Sequence, residues 1–154
     1  MEDQLFLAWA AGFFDGEGCV LVSERFNKGG GDSTFQLFVS VTQQDTRALH
    51  KLRERFGGNV TPDKAALRGY ERKNGTFLVW RWKSTSIVAY NFLKAIYPYT
   101  VVKADQIAIA LGWPEPGADY RNGRRLPDGI RQKRRDIMYA LREVRAKLKE
   151  EVDA

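Results

Sequence analysis

The chain of 154 residues has a single cysteine, Cys19, and a single histidine, His50. The lone cysteine excludes a disulfide within the chain and any cysteine-rich zinc site. The lone histidine argues against a His-based zinc centre and against a Ser-His-Asp triad. Cys19 reads as a small residue at a strand start, and His50 as a partly exposed residue of a helix. Long apolar runs are also missing. The stretch from Phe6 to Phe14 is far shorter than the ~20 residues that span a bilayer, and acidic residues flank it. No internal repeat is present, and no secretory leader is expected. These absences set an expectation of a soluble, intracellular protein that is not secreted. It would be cytoplasmic in a prokaryotic or phage host, or organellar. Neither a membrane nor a small-molecule substrate is expected as partner.

What is abundant is positive charge. Lys and Arg number 25 against 19 Asp and Glu, for a net charge of +6 and a pI of about 9.5. Such a balance favours a polyanionic partner, of which nucleic acid is the commonest. A mildly basic soluble protein is the plain alternative, and charge alone does not separate the two. The length fits one domain with room for a core. The expected unit is 1–154, with a core over about 3–113 and a C-terminal basic loop and long helix over about 114–152.

A helix is expected over 3–15, capped by Asp3. Leu5, Phe6, Trp9 and Phe13 give it a bulky face. Ala8, Ala11, Gly12 and Asp15 recur at i, i+3, i+4 and i+7 as a small-residue stripe. The stripe either admits another helix closely or packs within its own domain. The helix runs into Asp15-Gly16-Glu17-Gly18. Carboxylates are disfavoured at a helix C-terminus by the dipole. They call for a positive counterpart: a divalent metal, or the N–H groups or cations of a partner.

Two alternating segments follow. Val20, Val22 and Phe26 oppose Leu21, Ser23, Arg25 and Asn27, with Glu24 out of pattern; Phe35, Leu37, Val39 and Val41 oppose Thr34, Gln36, Phe38, Ser40 and Thr42. Asp45 caps a helix to about Phe56, with Leu49, Leu52 and Phe56 as its stripe, stopped by Gly57-Gly58. A second hairpin is expected within 59–82, turning at Asn74-Gly75, with an insertion or bulge over 62–69. Its outward set is either Tyr70, Arg72, Val79 and Arg81 or Glu71, Lys73, Leu78 and Trp80. Arginine content favours the first set. Helices over about 86–97, 101–111 and 129–151 complete the chain. The last has Ile130, Ile137, Leu141, Val144 and Leu148 as its stripe.

The order is an αββαββα core plus C-terminal helices, an α+β architecture. Its four-stranded antiparallel sheet would carry helices on one face. The other face would present Ser23, Arg25, Asn27, Thr34, Gln36 and Ser40. That polar set, poor in carboxylates, suits the reading of base edges, although solvated strand faces are common.

Three blocks carry a family resemblance. They are Ala10 to Gly18 (AAGFFDGEG), Val41-Thr42-Gln43-Gln44-Asp45 at the end of the second strand, and Tyr97-Pro98-Tyr99 with Val102-Lys103 before the fourth helix. In this order the chain resembles the LAGLIDADG homing endonucleases from about Phe6 to Trp113. Ala10 stands where the family name has leucine, Gly16 replaces alanine and Glu17 replaces aspartate. The motif occurs once, and the resemblance therefore implies a homodimer, with Ala8, Ala11, Gly12 and Asp15 at the two-fold axis.

The resemblance further implies a site-specific endonuclease that cuts double-stranded DNA at a long pseudo-palindromic site. It would read the major groove with saddle-shaped sheets and cut across the minor groove to leave 3′ overhangs. Glu17 would be the metal ligand, joined by the Gly16 carbonyl. Asp15 would be mainly structural, accepting N–H bonds from the partner's helix end, with a minor metal role open. Mg²⁺ is the expected ion, and Mn²⁺ or Ca²⁺ could occupy the same sites. Gln43 would orient water, and Lys103 would stabilise charge at the scissile phosphate, assisted by Arg47. The implied DNA contacts are Leu21, Ser23, Arg25, Asn27, Thr34, Gln36, Ser40, Arg68, Arg72 and Arg81. Around the last helix start, Arg121, Arg124, Arg125, Arg131, Lys133, Arg134 and Arg135 read either as phosphate contacts or as a solvated helix face. A cleavage-inactive DNA-binding regulator or an intron maturase on the same fold is the alternative function.

Overall fold

The computed structural model describes residues 1–63, 79–114 and 126–153. Helix α1 (Glu2–Glu17) leads directly into strand β1 (Gly18–Arg25), and β2 (Thr34–Gln43) returns beside it. Helix α2 (Thr46–Phe56), strands β3 (Asn59–Pro62) and β4 (Trp80–Thr85) and helix α3 (Ser86–Ile96) follow. A short 3-10 turn (Tyr97–Tyr99), helix α4 (Ala104–Ala110) and the long α5 (Asp128–Asp153) complete the described elements. The four strands form one antiparallel sheet in the order β1-β2-β4-β3.

The alternation of side chains decides which face is covered. Val20, Val22, Phe35, Leu37, Val39 and Val41 are buried, and Trp82 lies on the same side of β4 with no exposed surface. All five described helices pack on this side, with α1, α3, α4 and α5 each touching β1 or β2 and α2 reaching β2, β3 and β4. Phe92 of α3 is the aromatic hub of the core. It meets Phe14 of α1 at 5.2 Å, Trp82 at 4.9 Å and Phe56 of α2 at 4.9 Å, all edge-on. Edge-on contact sets the positive ring edge against the negative ring face.

Two glycines are demanded by close approach. A Cβ on Gly18 would fall 2.1 Å from the Phe14 ring, and one on Gly58 would fall 2.6 Å from the Lys83 carbonyl. Gly57, at φ +85°, is the C-cap of α2 and gives its carbonyl to the Trp82 indole N–H at 2.9 Å. The Gly57-Gly58 stop thus also lets the α2–β3 turn press on the largest buried side chain.

Several expectations are corrected. Asp3 does not cap α1, whose N-cap is Met1 with no side-chain bond. Asp3 instead pairs with Arg55 of α2 at 2.8 Å. Phe26 lies beyond the end of β1 and is 78% exposed, so it is not part of the core face. Helix α4 begins at Ala104 rather than Val101, because the preceding N–H groups are taken by a carboxylate of α1. Along α5 the buried residues are Ile137, Met138 and Leu141, whereas Leu148 extends past the core and is exposed. The Asn74-Gly75 turn lies outside the described residues. No described helix is long and apolar enough to cross a membrane.

Candidate functional site

The acidic end of α1 is where the elements converge. Gly18 pairs with Val41, so Glu17, one residue earlier, and Thr42-Gln43, just beyond, stand at the same end of the sheet. Glu17 is exposed and makes no hydrogen bond or ion pair with any described residue. Gly12 and Gly16 are exposed too, and a Cβ at either would meet nothing within 4 Å. The helix end therefore carries an uncommitted carboxylate beside bare backbone.

Asp15 behaves differently. Its carboxylate accepts the backbone N–H groups of Val101 (2.7 Å), Val102 (3.2 Å) and Lys103 (2.9 Å) of its own chain. The expected acceptance from a partner's helix end is corrected. Three of the roughly four acceptor sites of this carboxylate are thus taken within the chain. Lys103 Nζ donates to the Asp15 carbonyl at 2.5 Å. The ammonium thus supplies the positive charge that the α1 C-terminus calls for, one residue from Gly16.

Gln43 is half-buried at the end of β2, opposite Trp80. Arg47 is 88% exposed and held by Asp45 in a fork, Nε at 3.0 Å to both oxygens and Nη2 at 2.5 Å to Oδ2. Asp45 also accepts the Arg47 N–H at 2.9 Å as the α2 N-cap. The Arg47 side chain, then its backbone N–H, lower the Asp45 pKa from 3.8 to about 2. In one chain Arg47 serves the helix start and does not reach inward.

A divalent cation prefers oxygen ligands and keeps several waters, so a site needs few carboxylates. The Glu17 carboxylate and the Gly16 carbonyl fit that chemistry. Among the described residues no three His, Cys, Asp or Glu side chains converge to hold a metal.

The uncovered face of the sheet is built in cross-strand rows: Ser23 with Gln36, Leu21 with Phe38 and Thr85, Cys19 with Ser40 and Lys83, and Thr42 with Arg81. Asn59 and Thr61 of β3 extend the last two rows, beside Lys83 and Arg81. Arg25 and Thr34 close the far end and are exposed. Asn27 lies just past β1 and spends its amide on the Asp32 carbonyl at 2.8 Å, closing the loop. Ser40 is on this face but only 8% exposed, which corrects its reading as an open contact. The register resolves the second hairpin at its described end: Arg81 is on the open face and Trp80 packs against the core. Arg68 and Arg72 lie outside the described residues. Lys83, Asn59 and Thr61 were missed in the sequence. Lys83 is held over the Phe38 ring at 4.3 Å, and only the β2–β4 register reveals that neighbour.

The overall arrangement has solved counterparts. The sequence matches no family model, and no curated protein is similar to it. In structure it is similar to the archaeal intron-encoded homing endonuclease I-Vdi141I complexed with DNA, with a TM-score of 0.65 at 20% identity over 92% of this chain and 84% of that one. The chain has the LAGLIDADG homing endonuclease fold. The I-LtrWI LAGLIDADG homing endonuclease bound to target DNA is also similar, with a TM-score of 0.52 at 19% identity over 84% of this chain and 42% of that one. So is the homing endonuclease I-CvuI in complex with a DNA target in the presence of Mg, with a TM-score of 0.56 at 22% identity over 71% of this chain. The chain spans 66% of I-CvuI, just under two-thirds of its length.

Within the LAGLIDADG fold of this chain, the open stripe of α1 is not the expected one. Ala11 has no exposed surface and belongs to the subunit's own core with Ala10 and Phe14. The exposed positions are Leu5, Ala8, Trp9, Gly12 and Gly16, which share one helix face. The basic cluster of α5 also turns partly inward. Arg131 pairs with Asp32 at 2.6 Å. Arg134 donates to the Phe35 carbonyl at 3.3 Å and stacks over Trp113 at 4.9 Å, and burial lowers its pKa. Arg135 lies over Phe35 at 5.7 Å, while Lys133 is exposed. Arg121, Arg124 and Arg125 are outside the described residues.

Proposed function

We propose that this protein is a site-specific endonuclease that hydrolyses double-stranded DNA as a homodimer with a divalent metal, Mg²⁺ in the first instance. The observation that carries the reading is Glu17: an uncommitted carboxylate at an exposed helix end, between a bare helix face and a polar sheet face. Two copies joined along Leu5, Ala8, Trp9 and Gly12 bring their Glu17 residues together. The incomplete donor set of one chain then becomes a pair of sites.

Glu17 and the Gly16 carbonyl hold the metal, which when bound polarises a phosphate oxygen and lowers the pKa of a water. The absence of a side chain at Gly16 lets the DNA backbone come close. Lys103, fixed at the Asp15 carbonyl, stands beside that backbone and offsets charge building up on the phosphoryl oxygens in the transition state. Gln43 orients water at the same end of the sheet. Arg47 assists once DNA draws it from Asp45. Leu21, Ser23, Arg25, Thr34, Gln36 and Arg81, with Lys83, Asn59 and Thr61, face the major groove.

Cleavage of a plasmid library carrying randomised inserts, with and without Mg²⁺, tests the reading. Wild-type protein should cut a discrete site, and Glu17→Gln should bind that site without cutting. Discrete binding with no cleavage under any divalent metal would instead identify a DNA-binding regulator. Stimulation of intron splicing would identify a maturase.

A further inference from the structure

Arg81 does not reach the open face of the sheet as a free side chain. Its Nη2 donates to Asp63 Oδ2 at 2.7 Å. Asp63 follows β3, and its backbone N–H donates to the Val79 carbonyl at 2.7 Å, which fixes its place. The Asp63 side chain is 7% exposed and that of Arg81 is 37% exposed. Arg81 Nε is buried and has no hydrogen-bond partner among the described residues.

Nε and Nη2 share one edge of the planar guanidinium, and that edge is turned toward the protein. The end-on edge, with one N–H from each Nη, remains to face a ligand. That pair of donors matches O6 and N7 of guanine. A buried carboxylate is tolerated when it is paired. Here the pairing also offsets charge on Arg81 in place, which weakens its attraction for phosphates at large. An arginine free of such a tether adapts to any phosphate within reach. A tethered one, its charge partly offset, relies more on its geometry.

We propose that Asp63 is a positioning residue that makes Arg81 a specificity determinant, directing the guanidinium to a guanine edge in each half-site. The proposal rests on the DNA-binding reading above. Selection of binding sites from a randomised duplex pool, and titration of random-sequence duplex across a salt series, test it on the full-length protein. Wild type should show one guanine per half-site that is lost in Asp63→Ala. Asp63→Ala should also bind random duplex more tightly, with a salt slope steeper by about 0.9 per phosphate gained. Arg81→Lys, which keeps the charge and loses the fork, should lose the same guanine with the random-duplex salt slope unchanged. The loss of discrimination should be roughly tenfold or more. If Asp63→Ala does not fold, Arg81→Lys decides. An unchanged base preference in either folded variant would overturn the proposal. Failure of the wild type to bind duplex DNA would overturn the proposed function itself, and this assignment with it.

Discussion

Asp15 and Lys103 hold each other twice. The Asp15 carboxylate accepts the Lys103 backbone N–H at 2.9 Å, and Lys103 Nζ returns to the Asp15 carbonyl at 2.5 Å. The clasp joins the end of α1 to the start of α4. It places the one ammonium at this helix end, among the described residues, where the backbone carbonyls concentrate negative potential.

Loss of the carboxylate should therefore unseat the 101–103 turn. Asp15→Ala leaves three N–H groups without their acceptor. A stability loss of about 2 kcal/mol is expected, read by chemical denaturation, because hydrogen bonds to charged groups fall in that range. Asp15→Asn keeps one acceptor oxygen and should lose less. Equal stability of Asp15→Ala and wild type would contradict the clasp.

Glu17 is the opposite case. It has no partner among the described residues, so Glu17→Gln should leave the melting temperature nearly unchanged. Its effect should fall on metal-dependent cleavage, which should disappear while DNA binding persists. A variant that still cuts would remove Glu17 from the chemistry.

The two sides of α1 predict different failures. Gly12→Leu adds a side chain to open space. It should leave the subunit folded and abolish self-association by sedimentation. Ala11 is fully buried, so Ala11→Leu should overpack the core, at a cost of about 1–3 kcal/mol. A Gly12→Leu protein that sediments as an intact dimer would exclude this face as the interface.

Asp45 gives a pH prediction. Its pKa is lowered in the folded state from 3.8 to about 2, chiefly by the Arg47 side chain. A lowered carboxyl pKa means that the stabilising contribution is fully present above the unfolded value and is lost as pH falls through the folded one. The α2 cap should therefore persist below pH 3.8 and be lost near pH 2. An NMR titration of the Asp45 carboxyl carbon measures this. In Arg47→Ala the midpoint should move back toward 3.8, and an unmoved midpoint would mean that the fork does not form in solution.

Much of this frame is legible along the chain because it is local. Burial of alternate residues in β1 and β2 follows from a period of two. The Asp45 cap and the Gly57-Gly58 stop depend on residues a turn away. The second hairpin was less legible. Arg81 and Trp80 are neighbours with opposite fates, and alternation alone does not say which is outward. Pairing of Arg81 with Thr42 resolves it.

The sequence by itself determined the α+β order, the acidic helix end with its glycines, the polar face of the first hairpin and the basic surplus. Each follows from composition or from spacings shorter than one element. Only the tertiary structure decided that Asp15 is satisfied within its own chain, that Ala11 faces the core and that Asp63 tethers Arg81. Asp15 and the N–H groups that donate to it lie 86 to 88 residues apart. No periodicity encodes such a meeting, which arises when packing of α1 against the sheet brings the 101–103 turn to its end.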